Sequence, residues 1–235
     1  MRLNGPWLFR TFLYPVLVLV VPAPCSGCGD TLGPRQLLGY CPGCWDSIQP
    51  DRYNPHHPYQ CAATRYAGLA RTVLLEAKFR DRPELFRPMG LRMAAACRTA
   101  GLDRGFELVA AVPSHPLTLF RRGYNPAREL ARVVAGDLGL PLAGRALRRK
   151  VLHMAPLKKA SREDRRLAAR SAFTARHGAF QGKRVLLIDD VLTTGSTFRG
   201  CRSALLDAGA SAVRLLVWGR TPAASSGGRW PERHL

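Results

Sequence analysis

Apolar residues along this chain recur at two different spacings. Leu69–Phe79 and Leu85–Ala100 carry them at the 3.6-residue period of a helix. So does Asn125–Leu138, which runs into Gly139, a residue suited to ending a helix. Leu108–Val112 and Val185–Ile188 are short unbroken apolar runs of buried-strand length, and Pro113 stops the first. A further helix is expected over Phe198–Ala208 with Gly209 as its stop, then a last strand over Val213–Val217. Strands that alternate with helices predict an α/β domain over residues 65–220: a mostly parallel, twisted sheet with helices on both faces.

Ahead of residue 65 the texture changes. Residues 22–64 are rich in Cys, Gly, Pro and Tyr with few aliphatic runs, and a segment so short needs a metal or a staple to hold a shape. Cys25 and Cys28 form one Cys-x-x-Cys pair, and Cys41 and Cys44 form a second after twelve intervening residues. That is close to zinc-ribbon spacing, in which two knuckles bring four thiolates to one tetrahedral ion. A redox Cys-x-x-Cys is the competing reading. It is the weaker one, because the pairs are matched and neither sits on a strand-to-helix turn. Gly27 and Gly43 lie inside the pairs, where a tight turn needs them. Cys61 stands alone, Cys97 and Cys201 fall in expected helices, and an odd total of seven argues against a secreted disulfide scaffold. The Pro/His-rich stretch Asn54–Tyr59 reads as a linker.

The two ends are expected to be appendages. Residues 1–21 hold an apolar run, Phe12–Val21, that is too short for a membrane span and contains Pro15, so a short segment that packs its apolar side on the body of the protein is expected, with a membrane-associated segment as an alternative. A signal peptide is a further alternative, since Arg2 and Arg10 precede the run, but Pro22 and Pro24 suit a cleavage site poorly. The tail from 221 to 235 has the composition of a disordered segment.

Charge widens the list of partners. Lys and Arg total 36 against 16 Asp and Glu, a formal net charge of +20. Such an excess favours polyanions: nucleic acid, an anionic membrane face or phosphorylated metabolites. An arginine-rich composition with solvated charges explains the number equally well. The denser runs are Arg145–Lys150 and Lys158–Arg170.

Candidate chemistry concentrates in one stretch, Val185-Leu-Leu-Ile-Asp-Asp-Val-Leu-Thr-Thr-Gly-Ser-Thr197. A strand delivers Asp189 and Asp190 to its carboxyl edge, where ligands bind in open α/β sheets. Thr193, Thr194, Gly195, Ser196 and Thr197 follow, and then a helix begins. Such a loop offers backbone N–H groups, hydroxyls and a helix dipole to a phosphate. Two carboxylates suit the vicinal hydroxyls of a ribose and could also help to hold Mg²⁺ beside a pyrophosphate. The stretch lacks the Walker pattern of a P-loop.

This run resembles the thirteen-residue signature of the type I phosphoribosyltransferases, which bind 5-phosphoribosyl 1-pyrophosphate (PRPP). The resemblance implies that Asp189 and Asp190, the candidate catalytic pair, contact the ribose hydroxyls, and that Thr193–Thr197 wrap the 5′-phosphate. Ala77-Lys-Phe79, Val112-Pro113, Arg121-Arg-Gly-Tyr-Asn-Pro-Ala-Arg-Glu-Leu-Ala131, Arg165, Ala172-Phe173, Gly209-Ala210 and the cysteine pairs narrow it to the ComF/GntX family, which pairs that fold with an amino-terminal zinc ribbon. It spans the chain from about Pro24 to Arg220. The fold it implies is that of a type I phosphoribosyltransferase. Cofactors would be structural Zn²⁺ on Cys25, Cys28, Cys41 and Cys44, and Mg²⁺ with PRPP. Pro113, Ser114, Arg121, Arg122 and Lys78 are candidate pyrophosphate contacts, because they flank the loop after Leu108–Val112 or offer cationic forks. His115 reads as a loop histidine. The family link implies natural competence, with two readings: transfer or sensing of a phosphoribosyl group, and non-catalytic handling of single-stranded DNA at the inner membrane face. Partners would be PRPP, single-stranded DNA, and a DNA-uptake helicase or other competence proteins, in the cytoplasm. Met154, Leu157 and Ala168 depart from the family pattern.

Overall fold

The computed structural model describes residues 24–33, 39–51, 59–150 and 172–221. The expected amino-terminal segment, most of the tail from 221, and the positions Met154, Leu157, Arg165 and Ala168 lie outside them. Two compact units are present, one ending at Gln49 and the other starting at Pro50.

In the first unit Pro24 and Thr31 form an antiparallel bridge, and a short helix α1 (Pro42–Asp46) begins directly after Cys41. Proline at its first position suits a helix start, where no amide hydrogen is needed.

The second unit runs β1 (Gln60–Arg65), α2 (Gly68–Phe79), a 3₁₀ turn (Pro83–Leu85), α3 (Phe86–Thr99), β2 (Leu108–Ala111), α4 (Pro116–Arg122) and α5 (Pro126–Leu138). It continues with β3 (Leu147–Arg149), β4 (Phe173–Ala175), β5 (Arg184–Leu192), α6 (Ser196–Asp207) and β6 (Ala212–Arg220). Strands β1, β6, β5 and β2 lie in that order in one sheet, and every pairing is parallel. β3 and β4 pair antiparallel as a separate ribbon.

Strand alternation sorts the core onto two faces. Val185, Leu187, Val213, Leu215 and Val217 pack with Phe198, Cys201 and Leu205 of α6. Leu186, Ile188, Leu216 and Trp218 are buried on the opposite side, where the Trp218 indole donates to the Ala70 carbonyl of α2. Each large aliphatic side chain so buried contributes roughly 2 kcal/mol. Helices therefore cover both faces of a parallel sheet.

Several boundaries move in the structure. β5 extends past Ile188 to Leu192 and carries both aspartates within the strand, because β6 pairs alongside as far as Arg220. α6 begins at Ser196, two residues before Phe198, with Gly195 as its cap. The other expected helices and strands stand within a few residues of their expected limits. β1, α4 and the β3–β4 ribbon are further elements that periodicity did not single out.

Candidate functional site

The carboxyl edge of β5 lies in the middle of the sheet, with β6 on one side and β2 on the other. Asp189 sits opposite Val217 of β6, and the amide of Val112, just past β2, donates to the Ile188 carbonyl. Asp189 and Asp190 are consecutive strand residues, so their side chains leave on opposite faces. Asp189 shares its face with Val185 and Leu187, toward α6. Asp190 points the other way, toward α2.

The two carboxylates are in different electrostatic situations. Asp189 is half-buried, and its Oδ1 accepts the Asp190 amide hydrogen at 2.9 Å. Burial first, and then the neighbouring Asp190 charge, push its carboxyl up to about 8, while the Asp190 amide and Lys78 pull the other way. Asp190 instead meets the Lys78 ammonium, with Nζ 2.6 Å from Oδ2.

The loop after the strand turns directly into a helix start. Gly195 is buried with φ of 71°, the left-handed region that a glycine enters without a Cβ penalty. That turn swings the chain into α6. The Thr194 and Ser196 hydroxyls lie 3.2 Å apart, and the Arg199 guanidinium donates to the Thr194 carbonyl. Thr193 and Thr194 are exposed, while Ser196 and Thr197 are half-buried in the first turn of α6. Hydroxyls and first-turn N–H groups thus sit together where the helix dipole favours negative charge.

Pro113 and Ser114 follow β2 and are half-buried beside the β5 edge. His115 caps α4, its Nδ1 accepting the Leu117 amide at 3.2 Å, which accounts for it structurally. Arg121 is exposed in the last turn of α4. Arg122 lies over the Phe79 ring at 4.8 Å, and Phe79 follows Lys78 directly. Asn125 caps α5 through the Ala127 amide and donates to the Val112 carbonyl, and the Tyr124 hydroxyl donates to the Ala77 carbonyl. The Arg121–Asn125 block therefore ties the end of β2 to the end of α2.

Tyr66, which no motif marks, also belongs to this edge. Its amide donates to the Arg220 carbonyl, and its ring packs on Gly219, where an added Cβ would come within 3.0 Å. Burial pushes its phenol up, Arg71 opposes this, and Asp190 adds to it, which places Tyr66 at the same sheet edge. The preceding strand, Gln-Cys-Ala-Ala-Thr-Arg, has no large aliphatic residue to betray it. Only the aromatic residue just ahead of a helical pattern could have pointed there.

In the first unit the sulfurs of Cys25, Cys28, Cys41 and Cys44 all lie within 4.8 Å of one another. Tetrahedral zinc with Zn–S bonds near 2.3 Å would set them about 3.8 Å apart. Cys28 and Cys41 are already at 3.7 Å. Burial opposes ionisation of Cys25, but the backbone N–H groups of Cys28, Cys41 and Gly27 outweigh it and bring the thiol down to about 6. A Cβ on Gly27 would lie 2.6 Å from the Cys44 sulfur, so the knuckle requires glycine there. Four thiols, N–H donors aimed at sulfur and this spacing fit structural zinc. The aspartate pair fits a divalent cation poorly, because Lys78 already neutralises Asp190.

The fold and this edge define a class: an open parallel α/β protein with a carboxylate pair at a strand end and a hydroxyl–glycine turn into the next helix, preceded by a four-cysteine module. No family model matches the chain. Competence protein F of Haemophilus influenzae is similar to it, at 28% identity over 211 residues covering 83% of this chain and 88% of that protein. Among solved structures, an allosteric regulatory enzyme of purine biosynthesis aligns with a TM-score of 0.42 and 20% identity over 61% of this chain and 29% of its own. Glutamine PRPP amidotransferase from B. subtilis aligns at 0.41 and 19%, over 60% of this chain and 30% of its own. A purine phosphoribosyltransferase from Pyrococcus horikoshii aligns at 0.32 and 21%, covering 55% and 67%. The chain spans under a third of the length of the first two structures. No helix among the described residues is long and apolar enough to cross a membrane.

Proposed function

We propose that this chain is a PRPP-binding, phosphoribosyltransferase-like protein of the ComF type that serves natural competence. One observation carries the reading: Asp189 and Asp190 reach the same edge of β5 from which the Gly195 turn launches α6. A ribose diol at the carboxylates would then place its 5′-phosphate against Thr193–Thr197. Pro113, Ser114 and Arg121 would border the pyrophosphate side, and Mg²⁺ would come with that ligand. The bound magnesium would offset charge on the departing pyrophosphate. The chain's own part is to orient the sugar, hold the phosphate and keep the carboxylates poised beside it. The Haemophilus relative supports the link to competence. In this reading residues 22–64 are a zinc ribbon and linker, residues 65–220 form the transferase-like domain, and the protein works in the cytoplasm, at the inner membrane face.

A second reading, handling of single-stranded DNA without catalysis, is favoured by a specific surface. Phe79 is 68% exposed under Arg122, Phe120 is 88% exposed, and the chain carries a net charge of +20. Bases stack on such rings while arginines meet phosphates. Under this reading the cradle serves a regulatory ligand, and the partners include a DNA-uptake helicase.

Calorimetry with PRPP and Mg²⁺ tests the first reading. Binding is expected for the wild type and its loss for a folded Asp189→Ala/Asp190→Ala variant. A folded, zinc-loaded wild type that does not bind PRPP overturns it.

A further inference from the structure

Lys78 stands two residues from where α2 gives way to a turn, and the structure holds that stretch from three sides. The Ala77 carbonyl receives the Tyr124 hydroxyl. The Phe79 ring lies under Arg122. Glu76, buried at 5% exposure, receives Arg82 at 2.8 Å and Arg80 at 3.3 Å. Those ion pairs brace the turn in which Asp81 adopts a φ of 51°. With its neighbours fixed, the lysine reaches across to Asp190, and the two side chains are only 15% and 20% exposed. This is a built ion pair in a sheltered edge, unlike a pair of long surface chains that meet by chance.

The pair occupies one face of the edge's acceptors. Lys78 takes Asp190 Oδ2, and the Asp190 amide takes Asp189 Oδ1. Among the described residues Asp189 Oδ2 and Asp190 Oδ1 take no such bond, so each carboxyl keeps an oxygen open to a hydroxyl. A divalent cation on Asp190 would share that carboxylate with an ammonium and be repelled by it. The neighbouring Asp189, enclosed and close to a second carboxylate, adds little negative charge to attract one.

We propose that Lys78 is the resident counter-ion of the aspartate pair, holding Asp190 in place and keeping free divalent cations off it, so that the pair selects an uncharged vicinal diol. Lys78 is thus a positioning and selectivity residue for this edge, a different role from contact with pyrophosphate. The proposal rests on the reading of this edge as a sugar site.

The experiment is Mn²⁺ binding to the zinc-loaded protein without PRPP, followed by electron paramagnetic resonance. Wild type and Asp190→Asn are expected to bind Mn²⁺ equally weakly. Lys78→Met should bind about tenfold tighter, because the repelling charge is gone. Adding Asp190→Asn to that variant should reverse the gain, and Lys78→Arg should behave as wild type. Melting temperatures show which variants are folded, and Lys78→Gln replaces Met if Met is not. Wild-type Mn²⁺ binding that Asp190→Asn abolishes overturns the proposal without any lysine variant, as does a folded Lys78→Met or Lys78→Gln that gains nothing. PRPP calorimetry on the same wild type separates the two ideas. Absent PRPP binding removes the sugar reading whatever Mn²⁺ does, and PRPP binding alongside Asp190-dependent Mn²⁺ binding removes only the role of Lys78.

Discussion

The hydroxyl of Tyr124 donates a hydrogen bond to the backbone carbonyl of Ala77, 47 residues earlier in the chain. Ala77 lies in the last turn of α2, so its carbonyl has no helical amide to accept from and needs a partner elsewhere. The Tyr124 ring also meets Phe86 edge-on at 5.7 Å. The contact joins the Arg-Gly-Tyr-Asn block to the helix that carries Lys78, and neither segment reaches the other through regular secondary structure.

Tyr124→Phe should keep the ring packing and lose only the hydrogen bond. A cost of about 1 kcal/mol is expected, visible as a melting temperature lower by a few degrees. PRPP affinity should fall in the same variant, because the end of α2 is freed from one of its three anchors. A melting curve and a PRPP isotherm identical to wild type would show that Tyr124 contributes packing alone.

Asp189 gives the protein a pH signature. In the unfolded chain its carboxyl titrates near 3.9, whereas burial and Asp190 raise it to about 8 in the fold. Between those values the folded state keeps a proton that the unfolded state has lost, so this residue makes stability fall as pH rises. The loss is complete once pH passes about 8. Asp189→Asn keeps an acceptor for the Asp190 amide and removes the titration. The melting temperature of the variant should therefore gain on wild type from pH 5 to pH 8 and run parallel above. Curves parallel throughout would mean that Asp189 ionises normally.

Much of this was legible in the residues, for reasons that differ from place to place. Val185–Ile188 announced a buried strand because four large aliphatic residues stand together, and the Thr/Gly run announced a turn into a helix, which starts at Ser196 after Gly195. The strand's extension through Asp189 and Asp190 was hidden, since charged residues end a hydrophobic run while β6 continues to pair beside them. β1 was hidden because cysteine, alanine and threonine do its packing. Lys78 was picked out as a cation near phosphate, but its partner could not be foreseen, because the salt bridge joins positions 112 residues apart in sequence (190 − 78). The four cysteines were readable from spacing alone, since a tetrahedral thiolate site fixes the short intervals within each pair.

Gly195→Ala tests the cradle with little change of chemistry. The left-handed φ of 71° costs an alanine about 1–2 kcal/mol, enough to shift the loop without unfolding a core built on β5 and β6. The variant should melt a few degrees lower and bind PRPP at least several-fold more weakly. Unchanged affinity in a destabilised protein would move the phosphate away from this turn.

Gly27→Ala addresses the four-cysteine module separately from the sheet. An added Cβ would sit 2.6 Å from the Cys44 sulfur and 3.6 Å from that of Cys25, between two of the four ligands. The positive φ of Gly29 is a separate requirement two residues on, so the effect of Gly27 is one of space alone. Wild type should carry one zinc per chain by elemental analysis and lose the order of this module on chelation, because so short a segment depends on its metal. Gly27→Ala should hold less than one equivalent and release it to a weaker chelator. The parallel sheet has its own aliphatic core, so PRPP affinity is expected to survive the same substitution. Full zinc retention would show that the knuckle can relax around a methyl group; a joint loss of zinc and PRPP binding would show that the sheet depends on the module.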